Sequence, residues 1–170
     1  QKYTHYKSAY PMHLIMWLAI YTTRRESELT RMALADFDGE HWLIKDMKNP
    51  KGSLGNHKHV KIPTSALPVI RALQEPSIRK NMMACKYYDE SLLLPLDGKN
   101  ISKLFTEACK ILGIDDLHFH DLRHEGATRL AEQGLTIPQM QEITGHDSWN
   151  SLQRYTNLKK RPKTVEYDEI

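Results

Sequence analysis

Three helices with clear starts and stops fill the second half of the chain, and they constrain its fold more than any other feature. The patterns predict helices over residues 100–112, 121–132 and 136–144, with a last short one over residues 149–157. Glycines, which suit the end of a helix, follow the first three: Gly113, Gly134 and Gly145. This half of the chain therefore predicts helices packed on helices.

The first half mixes helices with a small amount of sheet. Residues 12–21 are apolar at most positions, which predicts a largely buried helix, and residues 24–33 predict a second one. Residues 41–47 and 59–62 are β-rich and flank a stretch dense in turn formers, which predicts a hairpin with a long loop. We expect a mainly α fold with a small antiparallel β-sheet (α+β).

Size and composition limit the class of protein. The 170 residues suit a single domain, and 24 Lys plus Arg against 21 Asp plus Glu give a net charge of +3, which permits a nucleic-acid partner without requiring one. Two cysteines are too few for a disulfide framework or a four-thiolate zinc site. No apolar run approaches the length that a bilayer span needs. Because the chain begins with Gln1, we expect a fragment of a longer protein.

One set of residues carries chemistry. His120 and Arg123 lie three apart at a helix start, so both can reach one anion. The set also holds Arg25-Glu26-Ser27-Glu28-Leu29, the run from His120 to His124 that reads His-Asp-Leu-Arg-His, and Gly145-His146 followed after nine residues by Tyr155. In order and spacing it resembles the tyrosine recombinase (phage integrase) family. One departure is Thr144, where the family usually has Leu.

The resemblance implies a DNA strand transferase, and the chemistry explains the residue types. Arg25 and Arg123 would hold the non-bridging phosphate oxygens, and Tyr155 would attack as the nucleophile. His120 would accept the phenol proton, and His146 would donate a hydrogen bond to the phosphate. A hairpin lysine, Lys48 in preference to Lys51, would protonate the leaving 5′ oxygen. No cofactor or metal is expected.

Other residues are expected in supporting roles. Glu28 would orient Arg25, unless it only pairs with a neighbouring cation, and His124 would be structural or hydrogen-bonded to the site. Basic side chains could form a DNA-phosphate surface: Lys51, Lys58, Lys61, Arg154, Lys159, Lys160 and Arg161. Zinc is an alternative at His120 and His124, which have i, i+4 spacing, and Tyr167 is an alternative nucleophile.

The resemblance also implies an organisation. Residues 1–170 would be a single catalytic domain without the family's N-terminal DNA-binding domain. The tail's own residues, basic at Lys159, Lys160 and Arg161 and apolar at Val165 and Ile170, lead us to expect that residues 159–170 dock on a neighbouring subunit. The partners would be double-stranded DNA attachment sites in the bacterial host cytoplasm, in a homo-tetramer on DNA, with the isolated fragment a monomer. Accessory DNA-bending and directionality proteins are left open. Alternatives are a type IB topoisomerase-like relaxing enzyme, a non-catalytic DNA-binding module and a metalloenzyme.

Overall fold

Helix α1 (Met12–Thr22) is buried on nearly every side and forms the centre of the core. The computed structural model describes residues 9–47, 52, 54–86, 88–158, 160–162 and 164–169. Three other helices, the third, fifth and sixth in chain order, pack against α1. Because apolar residues occupy most positions of α1 rather than one stripe, the helix can be covered from several directions at once.

The predicted helix over residues 24–33 is wrong in length, because only α2 (Glu26–Leu29) forms. Arg25 is extended, and Thr23 has a left-handed φ of 55°, so the backbone between α1 and α2 is not helical. This break lets the Arg24 side chain turn into the core, where it is 1% exposed. Beyond α2, Ala33 forms an isolated antiparallel bridge with Leu92.

The hairpin is shorter than predicted but in the predicted place. Strands β1 (His41–Ile44) and β2 (Lys58–Lys61) pair antiparallel, with Trp42 opposite Val60 and both side chains buried. Two helices that the sequence analysis did not predict follow, α3 (Leu67–Leu73) and α4 (Pro76–Met82), each with a proline in its first turn.

The second half follows the predicted order. Helix α5 (Gly98–Ile111) begins before the predicted residue 100, because Asp97 caps it by accepting from the amide of Lys99. Helices α6 (Asp121–Glu132) and α7 (Ile137–Thr144) have the expected bounds, and α8 (Asn150–Gln153) is only one turn long. The mainly α fold with a small antiparallel sheet is confirmed.

The C-terminal segment returns to its own chain. The Tyr21 hydroxyl donates to Glu166 at 2.6 Å and accepts from the amide of Tyr167 at 2.9 Å, and Arg129 donates to the carbonyl of Val165. Arg161 pairs with Glu125 and Glu132. Docking on a neighbouring subunit stays a prediction. No helix in the described part of the chain is long and apolar enough to cross a membrane.

Candidate active site

The start of α6 is held close to the end of α1. The Asp121 carboxylate accepts from the amide of His118 at 2.8 Å, which fixes the first turn of α6. One face of α6 meets α1 at Gly126, where an added Cβ would lie 2.1 Å from the carbonyl oxygen of Ile20. A glycine is required for this approach, and it brings Arg123 beside the break after α1.

Arg123 connects three segments of the chain. Its guanidinium donates to the carbonyl of Thr23 and, at 3.5 Å, to the carbonyl of Thr144, and its Nη2 lies 2.9 Å from Nε2 of His146. The residue is 6% exposed. The structure therefore brings His146, from the loop after α7, to the guanidinium of Arg123 on α6.

Arg25 and Arg123 line one pocket, and Arg25 lies at its mouth. Its Nη1 is 3.1 Å from Oε1 of Glu28, and its backbone amide donates to Oε2 of the same carboxylate at 3.2 Å. The Arg25 side chain is 27% exposed, whereas that of Glu28 is 1% exposed. The buried carboxylate fixes the guanidinium in place and leaves part of it open to a ligand.

Arg24, which the sequence analysis did not single out, is the buried support of the site. Its Nε donates to the carbonyl of Thr22 at 3.0 Å, its Nη2 donates to the carbonyls of Ile143 and Thr144, and its Nη1 lies 3.6 Å from Glu28. The carbonyls at the end of α7 have no helical partner, and the guanidinium satisfies two of them. Arg24 thereby holds the segment that carries His146.

The pocket has an excess of positive charge. Three guanidinium groups, of Arg24, Arg25 and Arg123, share one buried carboxylate, Glu28. Burial, followed by Arg24 and Arg25, lowers the pKa of Arg123 to about 9. Burial alone would raise the pKa of Glu28, but Arg24 and Arg123 offset it, so this pKa is lowered. A largely buried site with two unmatched positive charges favours an anion.

His146 is neutral at pH 7. Burial, then Arg123 and Arg24, lowers its pKa to about 4. A guanidinium can only donate, so Nε2 of His146 accepts from Arg123 and the ring hydrogen is on Nδ1. That Nδ1 is buried and has no hydrogen-bond partner in the described structure. Donation from His146 to a phosphate therefore requires the anion to displace the Arg123 contact.

Tyr155 lies beside the second histidine of the run from His120 to His124. Its hydroxyl is 2.8 Å from Nδ1 of His124, and the residue is 8% exposed. The Arg154 guanidinium lies 5.6 Å from the centroid of the Tyr155 ring. His120, whose role as acceptor of the phenol proton stays a prediction, lines the pocket with Arg25 and Arg123, and burial, followed by His124 and Arg25, lowers the pKa of its imidazole.

This pocket has a volume of about 270 Å³. Its walls come from α2, α5 and the start of α6: Arg24, Arg25, Glu26, Ser27, Ser102, His118, Phe119, His120 and Arg123. Ser102 and Glu26 are hydrogen-bonded to each other across it. The polar lining can orient an anion whose charge the arginines hold.

Two of the lysines expected on the DNA surface make ion pairs in the structure. Lys58 turns inward, where its Nζ donates to the carbonyl of Gly145 at 3.0 Å and pairs with Asp147, and Lys61 pairs with Glu40 at 3.4 Å. Their charges are therefore partly neutralised in this structure. Lys160 is exposed. Three predicted residues lie outside the described ones: Lys48, Lys51 and Lys159.

Two alternatives from the sequence can be placed in space. Tyr167 lies against Trp17, 6.4 Å between ring centroids, on the tail rather than in the arginine pocket. His120 and His124 meet edge to face at 5.3 Å. Across the described ranges, no three His, Cys, Asp or Glu side chains are grouped as metal ligands.

The arrangement of these helices is that of a tyrosine recombinase catalytic domain. It superposes with a TM-score of 0.63 on lambda integrase residues 75–356, solved as a dimer bound to a core site, at 19% identity over 92% of this chain and 56% of that one. The lambda integrase catalytic core gives a TM-score of 0.58 at 22% identity, over 79% of this chain and 82% of that one.

The sequence shows membership directly. The profile described as "Phage integrase family" matches residues 2–161, so the chain belongs to that family. It is 30% identical to a shufflon-specific DNA recombinase of Escherichia coli, over 87% of this chain and 35% of that protein. It is 27% identical to a protein named putative prophage phiRv2 integrase of Mycobacterium tuberculosis, over 88% of this chain and 43% of that protein. The chain thus spans between about a third and a half of these relatives.

Proposed function

We propose that this chain is the catalytic domain of a site-specific DNA recombinase that cuts and rejoins DNA through a 3′-phosphotyrosine on Tyr155. The observation that carries the proposal is the pocket lined by Arg25, His120 and Arg123, which has unmatched positive charge and whose Arg123 interacts electrostatically with Tyr155. The relatives named above are recombinases and integrases, which favours this function over DNA relaxation.

Charge stabilisation in the pocket would drive the cleavage step. Attack on a phosphodiester builds negative charge on two non-bridging oxygens, and the forks of Arg25 and Arg123 can hold that charge without a metal ion. Glu28 keeps Arg25 oriented before the DNA arrives. The phosphotyrosine linkage preserves the energy of the broken bond, so rejoining would need no ATP.

Proton transfer would complete the step. Tyr155 needs an acceptor for its phenol proton, and the leaving 5′ oxygen needs a donor. We keep the hairpin lysine, Lys48 in preference to Lys51, as the donor. Once a phosphate displaces the ring of His146 from Arg123, His146 would adopt the tautomer with hydrogen on Nε2 and donate from it to the non-bridging oxygen.

The partners of the whole protein form part of the proposal. We infer that residues 1–170 act as one catalytic domain, with a separate DNA-binding domain and a second substrate duplex in the complete assembly. Lambda integrase has been solved as a tetramer bound to a Holliday junction, and we extend that arrangement to this chain. Lys51, Lys58, Lys61, Arg154, Lys159 and Lys160 remain our proposed phosphate contacts, with Lys58 first released from Asp147.

The test uses a pool of nicked duplex oligonucleotides of randomised sequence, in which cleavage near the nick releases a short strand and prevents rejoining. The chain should form adducts that survive SDS, and sequencing of the trapped strands gives its preferred site. Tyr155→Phe should form none while keeping its melting temperature. A pool that yields no adduct with the unmodified chain would refute the proposal.

A further inference from the structure

We propose that His124 is a catalytic residue that takes the phenol proton of Tyr155 during cleavage and returns it during rejoining. This inference rests on the proposed function. It assigns the transfer to the second histidine of the run from His120 to His124, and leaves His120 to the phosphate.

The geometry at Tyr155 separates the two histidines. A group that removes a proton must lie within hydrogen-bond reach of it, and Nδ1 of His124 is 2.8 Å from the Tyr155 oxygen. Within the described structure, no such contact joins Tyr155 to His120. The ring of His120 instead lies against the ring of His124. The two histidines, one turn apart on the same helix, therefore face different partners.

The surroundings of each histidine fit a different task. His120 lies with Arg25 and Arg123 in the wall of the anion pocket, where it can hydrogen-bond a phosphate oxygen. Tyr155 has the Arg154 guanidinium over its ring and lies within electrostatic range of Arg123. Cations close to the reacting atoms stabilise the negative charge that builds in the transition state, so the charges that bind the phosphate also favour the attack by Tyr155.

Each proton moved in this step has a donor and an acceptor. In the tautomer of His124 with hydrogen on Nε2, the Tyr155 hydroxyl donates to Nδ1. As the bond from the Tyr155 oxygen to phosphorus forms, the O–H bond breaks and its proton moves to Nδ1. The bond from phosphorus to the 5′ oxygen breaks with its electron pair on oxygen, which takes a proton from the hairpin lysine. Rejoining reverses both transfers, so no other reactant is needed.

The experiment measures single-turnover adduct formation on the duplex recovered with the unmodified chain. His124→Phe, which has no proton acceptor, should slow the reaction by about 10²–10⁴-fold. His124→Asn should also be slow, because it can hydrogen-bond the Tyr155 hydroxyl but cannot accept its proton. Since Asn is smaller and polar, it also tests the proposal if the Phe variant fails to fold. His13→Asn, an exposed change on α1, is the matched control and should not alter the rate.

A fluorinated tyrosine at position 155 makes the test specific for proton transfer. The phenol of a fluorinated tyrosine has a lower pKa and depends less on a base. Fluorination should therefore raise the rate of both His124 variants by at least about tenfold. It should not rescue Arg25→Ala, which removes charge stabilisation. Three outcomes would overturn the proposal. His124→Asn could react at the wild-type rate, fluorination could fail to restore the rates of the His124 variants, or fluorination could rescue His120→Asn alone. If the unmodified chain forms no adduct, the proposed function itself has failed.

Discussion

Nη2 of Arg24 lies 2.8 Å from the carbonyl oxygen of Ile143, which joins the segment after α1 to the end of α7. This contact is buried, and it fixes the distance between the two parts of the chain that carry Arg25 and His146. A charged residue is almost never buried to this degree unless it is paired, and Glu28 supplies the pair.

We predict that Arg24→Met lowers the free energy of unfolding by about 3–5 kcal/mol, because the buried carbonyls at the end of α7 lose their donor and Glu28 loses one of its guanidinium partners. Urea denaturation measures the change. Arg71→Met, an exposed change on α3, should alter stability by less than about 0.5 kcal/mol. Equal effects of the two substitutions would contradict the role given to Arg24.

Arg25→Ala should reduce the rate of adduct formation by about 10²–10³-fold with little loss of stability, because the side chain is partly exposed and holds developing charge. Single-turnover cleavage checks the rate, and a thermal melt checks the fold. The control is Arg31→Ala, whose guanidinium is exposed and bonds the carbonyl of Ser27. A loss in the Arg31 variant as large as that in Arg25→Ala would show that the effect reflects general charge.

The His146 pKa predicts how stability depends on pH. His146 has a pKa of about 4 in the folded chain and an ordinary value of 6.5, so between these values the unfolded chain binds more protons. Stability should therefore fall as the pH is lowered from 6.5 toward 4. Replacing the residue by Asn should make the melting temperature less dependent on pH in that window. Parallel curves for the two proteins would disprove the assignment.

Gly126→Ala should destabilise the chain by about 3 kcal/mol, because the new methyl group would meet the backbone of Ile20 and push α6 away from α1. It should also slow cleavage, since α6 carries both Arg123 and His124. Gly98→Ala is the control, as its methyl group would make ordinary contacts with Glu26. Chemical denaturation measures the free energy of unfolding of both variants. Equal stability of the two would contradict the close packing of α6 against α1 at Gly126.

The local order of the second half could be predicted because its signals are local. Thr136 caps α7 through its own side chain, and Gly145 ends that helix with φ of 70°. The helices α3 and α4 were not predicted, because their prolines lie in first turns, where proline favours a helix instead of breaking it.

The candidate site could be predicted from the sequence only in part. Its residue types followed from the family resemblance, but the burial of Arg24 did not, because it depends on a backbone break after α1 and on the distant end of α7. Which histidine contacts Tyr155 depends on the rotation of α6 about its axis and on the path of the chain after α8. Sequence spacing fixes neither.

Mass spectrometry of the trapped adduct, after nuclease and protease digestion, tests the central claim most directly. We predict that the nucleotide remnant is attached to the peptide that contains Tyr155 and that the peptide with Tyr167 is unmodified. A remnant on Tyr167, or on a serine of the pocket, would contradict the account, because the arginine pocket would then serve a different nucleophile.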